Sequence, residues 1–205
     1  MKSPALVALL VLFLSASATA VTLVPAPPGI NADAYLLIDF ATGEVLVEHN
    51  IDTRLPPASL TKLMTSYILA EEVDAGRLSL DDEVTVSRNA WSQNPKFRGS
   101  SLMWIEPGKS VTVGELEQGI AISSGNDATV AIAEHIAGSE EAFVALMNRY
   151  AEELALTATH FENTHGLPNS DHLTTARDLG SLAIATIRDH PDRYRVYRQQ
   201  SYTYN

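Results

Sequence analysis

The spacing of apolar residues changes several times along the chain, and each change marks an element. Ala34–Phe40 (AYLLIDF) is apolar and β-prone, Ala41-Thr42-Gly43 is a turn signal, and Glu44–His49 (EVLVEH) reads as a second strand. Together they predict a hairpin with a three-residue loop. Pro56-Pro57 then stops any strand. From Ser59 the period lengthens. Leu60, Leu63, Met64, Tyr67 and Ile68 recur at helical spacing. They predict a mostly buried helix with Ser59 as its N-cap, running to about Val73 ahead of Gly76. Short β-like stretches and acidic turns fill Leu80–Trp91. Helical period returns over Gly114–Ile122, breaks at Ser123-Ser124-Gly125-Asn126, and resumes over Asp127–Ile136 until Gly138. Ser139 caps a further helix to about Leu154, and Glu140 and Glu141 suit its first turn. Phe161–Leu173 is a polar loop, Thr174 or Thr175 caps a helix to about Arg188, and Pro191 opens a short basic helix. Ser201–Asn205 (SYTYN) alternates like the start of a strand. This is an α+β pattern whose sheet is incomplete in this chain.

The first residues fall outside that pattern. Met1-Lys2 gives a positive start, Ala5–Leu14 is an unbroken apolar run, and Ala18-Thr19-Ala20 offers small residues for cleavage. This is a secretory signal over residues 1–20. The run is too short for a retained span, which needs ~20 apolar residues. Residues 21–31 form a Pro-rich extended leader, and 32–205 the folded domain. The protein is therefore expected to be exported.

Composition removes several kinds of function. The 205 residues hold 25 Asp and Glu against 14 Lys and Arg, a net charge of −11. That balance argues against nucleic acid, whose binders carry a basic face. The absence of Cys excludes disulfides, a thiol nucleophile and thiolate metal sites. The histidines lack paired metal spacing, so no metal and no cofactor is expected. His135 reads as a core histidine and Trp91 and Trp104 as packing residues. The carboxylates form no glycosidase-like pair. Arg188, Arg193, Arg195 and Arg198 read as a solvated helix face.

Two short segments carry candidate chemistry. In Ser59-Leu60-Thr61-Lys62 the first and last residues lie on one helical face, so Lys62 reaches the Ser59 oxygen. A lysine near a helix N-terminus, and partly buried, is disfavoured as a cation and can act as a base. A serine hydroxyl needs such a base to become a nucleophile. Ser124-Gly125-Asn126 places a hydroxyl and a carboxamide on a tight turn between apolar stretches. Each segment is common by itself; together, in this order, they are far more specific.

Pro57–Tyr67 (PASLTKLMTSY) resembles the nucleophile segment of low-molecular-mass penicillin-binding proteins, the serine-type D-Ala-D-Ala carboxypeptidases. Gly99–Met103, Ser123–Ala128, Phe161–Leu167, Thr175–Asp178, Tyr35–Asp39 and Gly43–Leu46 are similar to further segments of that family. The resemblance implies a β-lactamase/transpeptidase-like fold, an antiparallel sheet flanked by helices with a helical subdomain. It implies that Ser59 attacks the D-Ala-D-Ala bond of a peptidoglycan stem peptide and Lys62 takes its proton. Ser124 then relays a proton to the leaving D-Ala, and Asn126 holds the substrate amide and positions Lys62. The Ser59 N–H supplies one oxyanion donor, and β-lactams acylate Ser59. A periplasmic location at the outer face of the inner membrane is also implied.

One departure is as informative as the match. The family's third motif, Lys-Thr-Gly, is absent from these residues. So are its C-terminal β-domain and the amphipathic anchor that brings the family to a membrane surface. The resemblance therefore implies an N-terminal piece of a catalytic domain, with little activity and poor solubility by itself. A serine β-lactamase is an alternative, opposed by Gly125 in the second motif and by the lack of a deacylating Glu motif. A non-catalytic cell-wall-binding relative is another.

Overall fold

The computed structural model describes residues Gly29–Tyr204. The expected signal over 1–20, the leader up to Pro28 and the last residue of the expected final strand, Asn205, lie outside them. β1 (Tyr35–Ile38) and β2 (Val45–His49) form the expected antiparallel hairpin, Tyr35 facing His49 and Leu37 facing Val47, with an irregularity between Leu37 and Ile38. Its loop is longer than three residues. The Asp39 N–H donates to the Glu44 carbonyl and the Gly43 N–H to the Asp39 carbonyl, and the Asp39 carboxylate binds Thr42. Gly43 takes φ 73°, the left-handed turn position that glycine permits.

A 3₁₀ turn, Ala58–Thr61, leads into α1 (Lys62–Asp74). Ser59 is thus not the N-cap of α1; it stands a turn ahead of the helix and accepts no capping bond there. The tighter winding also swings Leu60 outward, 54% exposed rather than buried, because three residues per turn shift the apolar face. α1 itself buries Met64, Tyr67, Ile68, Leu69 and Ala70. β3 (Glu83–Thr85) pairs with β4 (Ser110–Thr112), Val84 facing Val111. β4 runs directly into α2 (Val113–Ser123), where Thr112 and Glu115 form a complete capping box. α3 (Asn126–Ala137), α4 (Glu140–Glu153), α5 (Ala176–Asp189) and α6 (Pro191–Tyr194) follow. Ser139 caps α4 and Thr175 caps α5, as their sequences predict. Ser201–Tyr204 has no strand partner among the described residues. Tyr202 and Tyr204 instead pack on a core cluster.

Two apolar clusters hold the domain, and α1 and α3 contribute to both. One contains Leu69, Phe97, Met103, Ile105, Leu116 and Ile132; the other contains Met64, Tyr67, Ile68, Ala133, Phe143, Met147 and Phe161. Each fully buried large side chain contributes about 1.5–3 kcal/mol, so the two helices are anchored from both sides. The hairpin is held differently. Leu36 and Ile38 pack onto α5 at Gly180, where a Cβ would meet the end of the Leu36 side chain at 3.0 Å, while Leu37, Phe40, Val45 and Leu46 remain exposed.

Two further expectations need correction. His135 is exposed, because the last turn of α3 emerges from the core. Trp104 is 67% exposed at φ 71°, its N–H held by the Asp127 carboxylate so that the indole points outward.

Candidate active site

The N-terminal ends of α1 and α3 face each other. Lys62, the first residue of α1, is buried at 5% exposure, and its ammonium donates three hydrogen bonds. They go to Asn126 Oδ1 at 2.7 Å, the His165 carbonyl at 2.9 Å and Ser59 Oγ at 3.3 Å. Burial lowers the Lys62 pKa to about 8, against a smaller opposing pull from the Asp127 carboxylate. Roughly a tenth of Lys62 is then neutral at pH 7.

The geometry fixes where the free amine points its lone pair. The Asn126 and His165 oxygens can only accept, so a neutral Lys62 must keep its two protons on them. The remaining position faces Ser59 Oγ, the one partner that has a proton to give. The arrangement can therefore take a proton from an exposed serine hydroxyl.

Ser59 is presented by strain and close approach. Ala58 adopts φ 47°, a left-handed conformation costing a non-glycine residue about 1–2 kcal/mol. The Ala58 carbonyl lies against Gly166 (φ 90°), and a Cβ on that glycine would overlap it. The 161–173 loop thus clamps the turn that carries Ser59. Its other ties are buried. Thr65 Oγ1 donates to the Thr164 carbonyl at 2.8 Å, and His172 Nε2 lies 2.7 Å from Thr61 Oγ1. His172 Nδ1 accepts the Glu162 N–H, so Nε2 carries the proton and donates to Thr61. Burial pushes His172 down to about 4 and His165 likewise, keeping both neutral at pH 7.

The opposite wall is built by Asp127, which sequence reasoning missed. Its fully buried carboxylate accepts the N–H groups of Met103, Trp104, Ile105 and Ala128 at 2.8–3.1 Å. The Asn126 N–H donates to the Ser101 carbonyl. The 101–105 segment is thereby fastened to the start of α3. Ser124 closes α2 in the left-handed region (φ 53°, ψ 38°), half-buried on the same turn as Asn126. Ser59, Lys62 and Asn126 are joined directly; Ser124 shares no hydrogen bond with them among the described residues.

Residues 21–205 match the peptidase S11 family, D-alanyl-D-alanine carboxypeptidase. The chain belongs to that family. It is 46% identical over 185 residues to the D-alanyl-D-alanine carboxypeptidase DacA of Escherichia coli, covering 90% of this chain and 46% of the relative. The chain thus spans about half the length of that relative. Penicillin binding protein 5 from Haemophilus influenzae superposes with a TM-score of 0.85 at 39% identity, over 88% of this chain and 52% of that one. Penicillin-binding protein D2 from Listeria monocytogenes, solved with cefotaxime bound, gives 0.76 at 26% identity, over 88% and 72%. The α+β fold of this carboxypeptidase-family chain is that of the penicillin-binding transpeptidases. No helix among the described residues is long and apolar enough to cross a membrane, and no acidic or histidine cluster there could hold a metal ion.

Proposed function

We propose that the protein is an exported serine D-Ala-D-Ala carboxypeptidase, acting on peptidoglycan stem peptides in the periplasm. The observation that carries this reading is the buried Lys62, whose lone pair, when neutral, has only Ser59 Oγ to face. Neutral Lys62 takes the Ser59 proton as the oxygen attacks the carbonyl between the two D-Ala residues. The bond to the terminal D-Ala breaks, and the leaving amine takes a proton passed through Ser124. Asn126 has its Oδ1 on Lys62, and its Nδ2, without a hydrogen-bond partner among the described residues, would meet the substrate amide. Water then releases the acyl group from Ser59. A β-lactam follows the first step and leaves a long-lived ester on Ser59.

These residues contain no Lys-Thr-Gly triplet. The test is covalent labelling by a fluorescent penicillin, on the protein as its gene encodes it, with release of D-Ala from a D-Ala-D-Ala peptide measured alongside. Labelling that survives Ser59→Ala, or no labelling at all, defeats the proposal. Fast penicillin turnover would favour a β-lactamase instead.

A further inference from the structure

The polar groups behind Lys62 converge on one carboxylate that the acyl-transfer reading does not use. Glu140 is the first residue of α4, and its carboxylate is mostly buried. Oε2 accepts from the Lys96 ammonium at 2.9 Å. Oε1 lies 3.2 Å from the Thr164 hydroxyl and 3.4 Å from His165 Nε2. His165 Nδ1 accepts the Leu167 N–H, so the single proton of the neutral ring sits on Nε2, facing Glu140.

Thr164 and His165 are the two residues whose carbonyls hold the start of α1. One accepts from Thr65, the other from Lys62. One carboxylate therefore accepts from the Thr164 hydroxyl and lies 3.4 Å from the His165 ring, the side chains of both residues that hold α1 by their backbone.

The Thr164 hydroxyl has one proton and two acceptors, Glu140 Oε1 and Thr129 Oγ1 at 3.1 Å. An ionised carboxylate is the stronger acceptor and takes it. A protonated Glu140 would itself donate, turning the Thr164 proton toward Thr129, whose own hydroxyl donates to the Asn126 carbonyl. The network has two arrangements, and the charge on Glu140 selects between them. Burial alone pushes the Glu140 carboxyl up, but the Lys96 hydrogen bond and charge, with His165 and Thr164, outweigh it and hold it below the usual range.

We infer that Glu140, kept ionised by Lys96, is a positioning residue that fixes the Thr164–His165 carbonyls and through them the Lys62 amine. This rests on the reading of Lys62 as the proton acceptor. Three elements bring titratable groups to the spot: Lys96 from the Pro95–Phe97 turn, His165 from the 161–173 loop and Lys62 from α1. A fourth, Glu134 of α3, stands behind Asn89, which itself accepts from Lys96.

The test follows the Lys62 side chain directly, by the ¹³Cε resonance of labelled lysine against pH, in wild type, Lys96→Met, Lys96→Gln and Lys96→Met/Glu140→Gln. Above pH 5, wild type should inflect once, at about 8. With Lys96 removed, the buried carboxylate loses the hydrogen bond and charge that hold its pKa down, so it titrates higher and Lys62 should report a second inflection below the first. The double variant should lose it, because Gln does not titrate. Identical Lys62 curves in wild type and both single variants would overturn the inference. Should Lys96→Met fold poorly, Lys96→Gln decides the outcome. Penicillin acylation measured in parallel should fall about tenfold in Lys96→Met below that inflection, and in the double variant should stay low with no such inflection, because a neutral amide does not replace the ionised carboxylate. Absence of acylation in wild type defeats the carboxypeptidase reading, while the lysine titration still decides the role of Glu140.

Discussion

The entrances to α1 and α3 present the two halves of the site in opposite ways. At α1, Ala58 and Ser59 are exposed, the backbone is strained, and no side chain caps the turn. At α3, Gly125, Asn126 and Asp127 are buried, and four backbone N–H groups converge on one carboxylate. Both follow a left-handed non-glycine residue, Ala58 at φ 47° and Ser124 at φ 53°. The difference teaches how an exposed serine is kept in place. Its entrance owns little rigidity and borrows it from the 161–173 loop, whereas the other supplies its own. Substitutions should therefore separate chemistry from stability according to the entrance they touch.

The largest effect expected is Ser59→Ala, which should abolish penicillin labelling while leaving the melting temperature within a degree or two. A large fall in stability would mean that Ser59 supports the fold after all. Asp127→Ala should do the reverse, destabilising by about 3–5 kcal/mol because four N–H groups lose their acceptor. Denaturant unfolding checks it, and a loss below about 1 kcal/mol would break the contrast between the entrances. Lys62 comes next, because its folded pKa lies below its unfolded value of 10.5. The folded state then binds fewer protons, so stability should rise with pH between about 8 and 10.5, by up to ~3 kcal/mol. Lys62→Met should flatten that rise. Over the same reasoning, acylation should increase about tenfold per pH unit up to about 8 and then level off. An acylation rate independent of pH between 6 and 8 would contradict a lysine base. Gly166→Ala should slow acylation by about 10–100-fold, since its Cβ meets the Ala58 carbonyl, an effect worth about 1.4–2.7 kcal/mol. Unchanged kinetics would show that the loop does not clamp the nucleophile. The smallest effect belongs to Ala58→Gly, within about 1 kcal/mol, where relief of the left-handed strain competes with greater freedom of the unfolded chain.

Much of this was legible in the sequence, and the exceptions have physical causes. The first hairpin, α3, the Ser139-capped helix and the Thr175-capped helix carry local signals that the structure keeps. The end of β4 and the start of α2 carried one too, since Thr112 and Glu115 have capping-box spacing, but the helix begins a residue earlier than its apolar pattern suggests. Leu60 misled because a 3₁₀ turn and an α-helix share their first apolar positions and diverge only in three dimensions. Ser59, Lys62 and Asn126 were legible as side-chain types at characteristic spacing. The His165 carbonyl was not, because every residue has a carbonyl and only the fold selects one. Asp127 was easy to pass over, because a carboxylate in the first turn of a helix reads as ordinary complementation of the helix dipole.

The hydrogen bond from Lys62 to His165 spans 103 residues. Contacts of that separation form late, after the entropy of closing a long loop has been overcome. A chain still lacking its 161–173 loop therefore has a serine and a lysine but no paired acceptors to aim the amine and no clamp on Ala58. On the proposed reading, the reactivity of Ser59 is thus a property of the finished fold rather than of its local sequence. Penicillin labelling during refolding should accordingly lag behind helix formation.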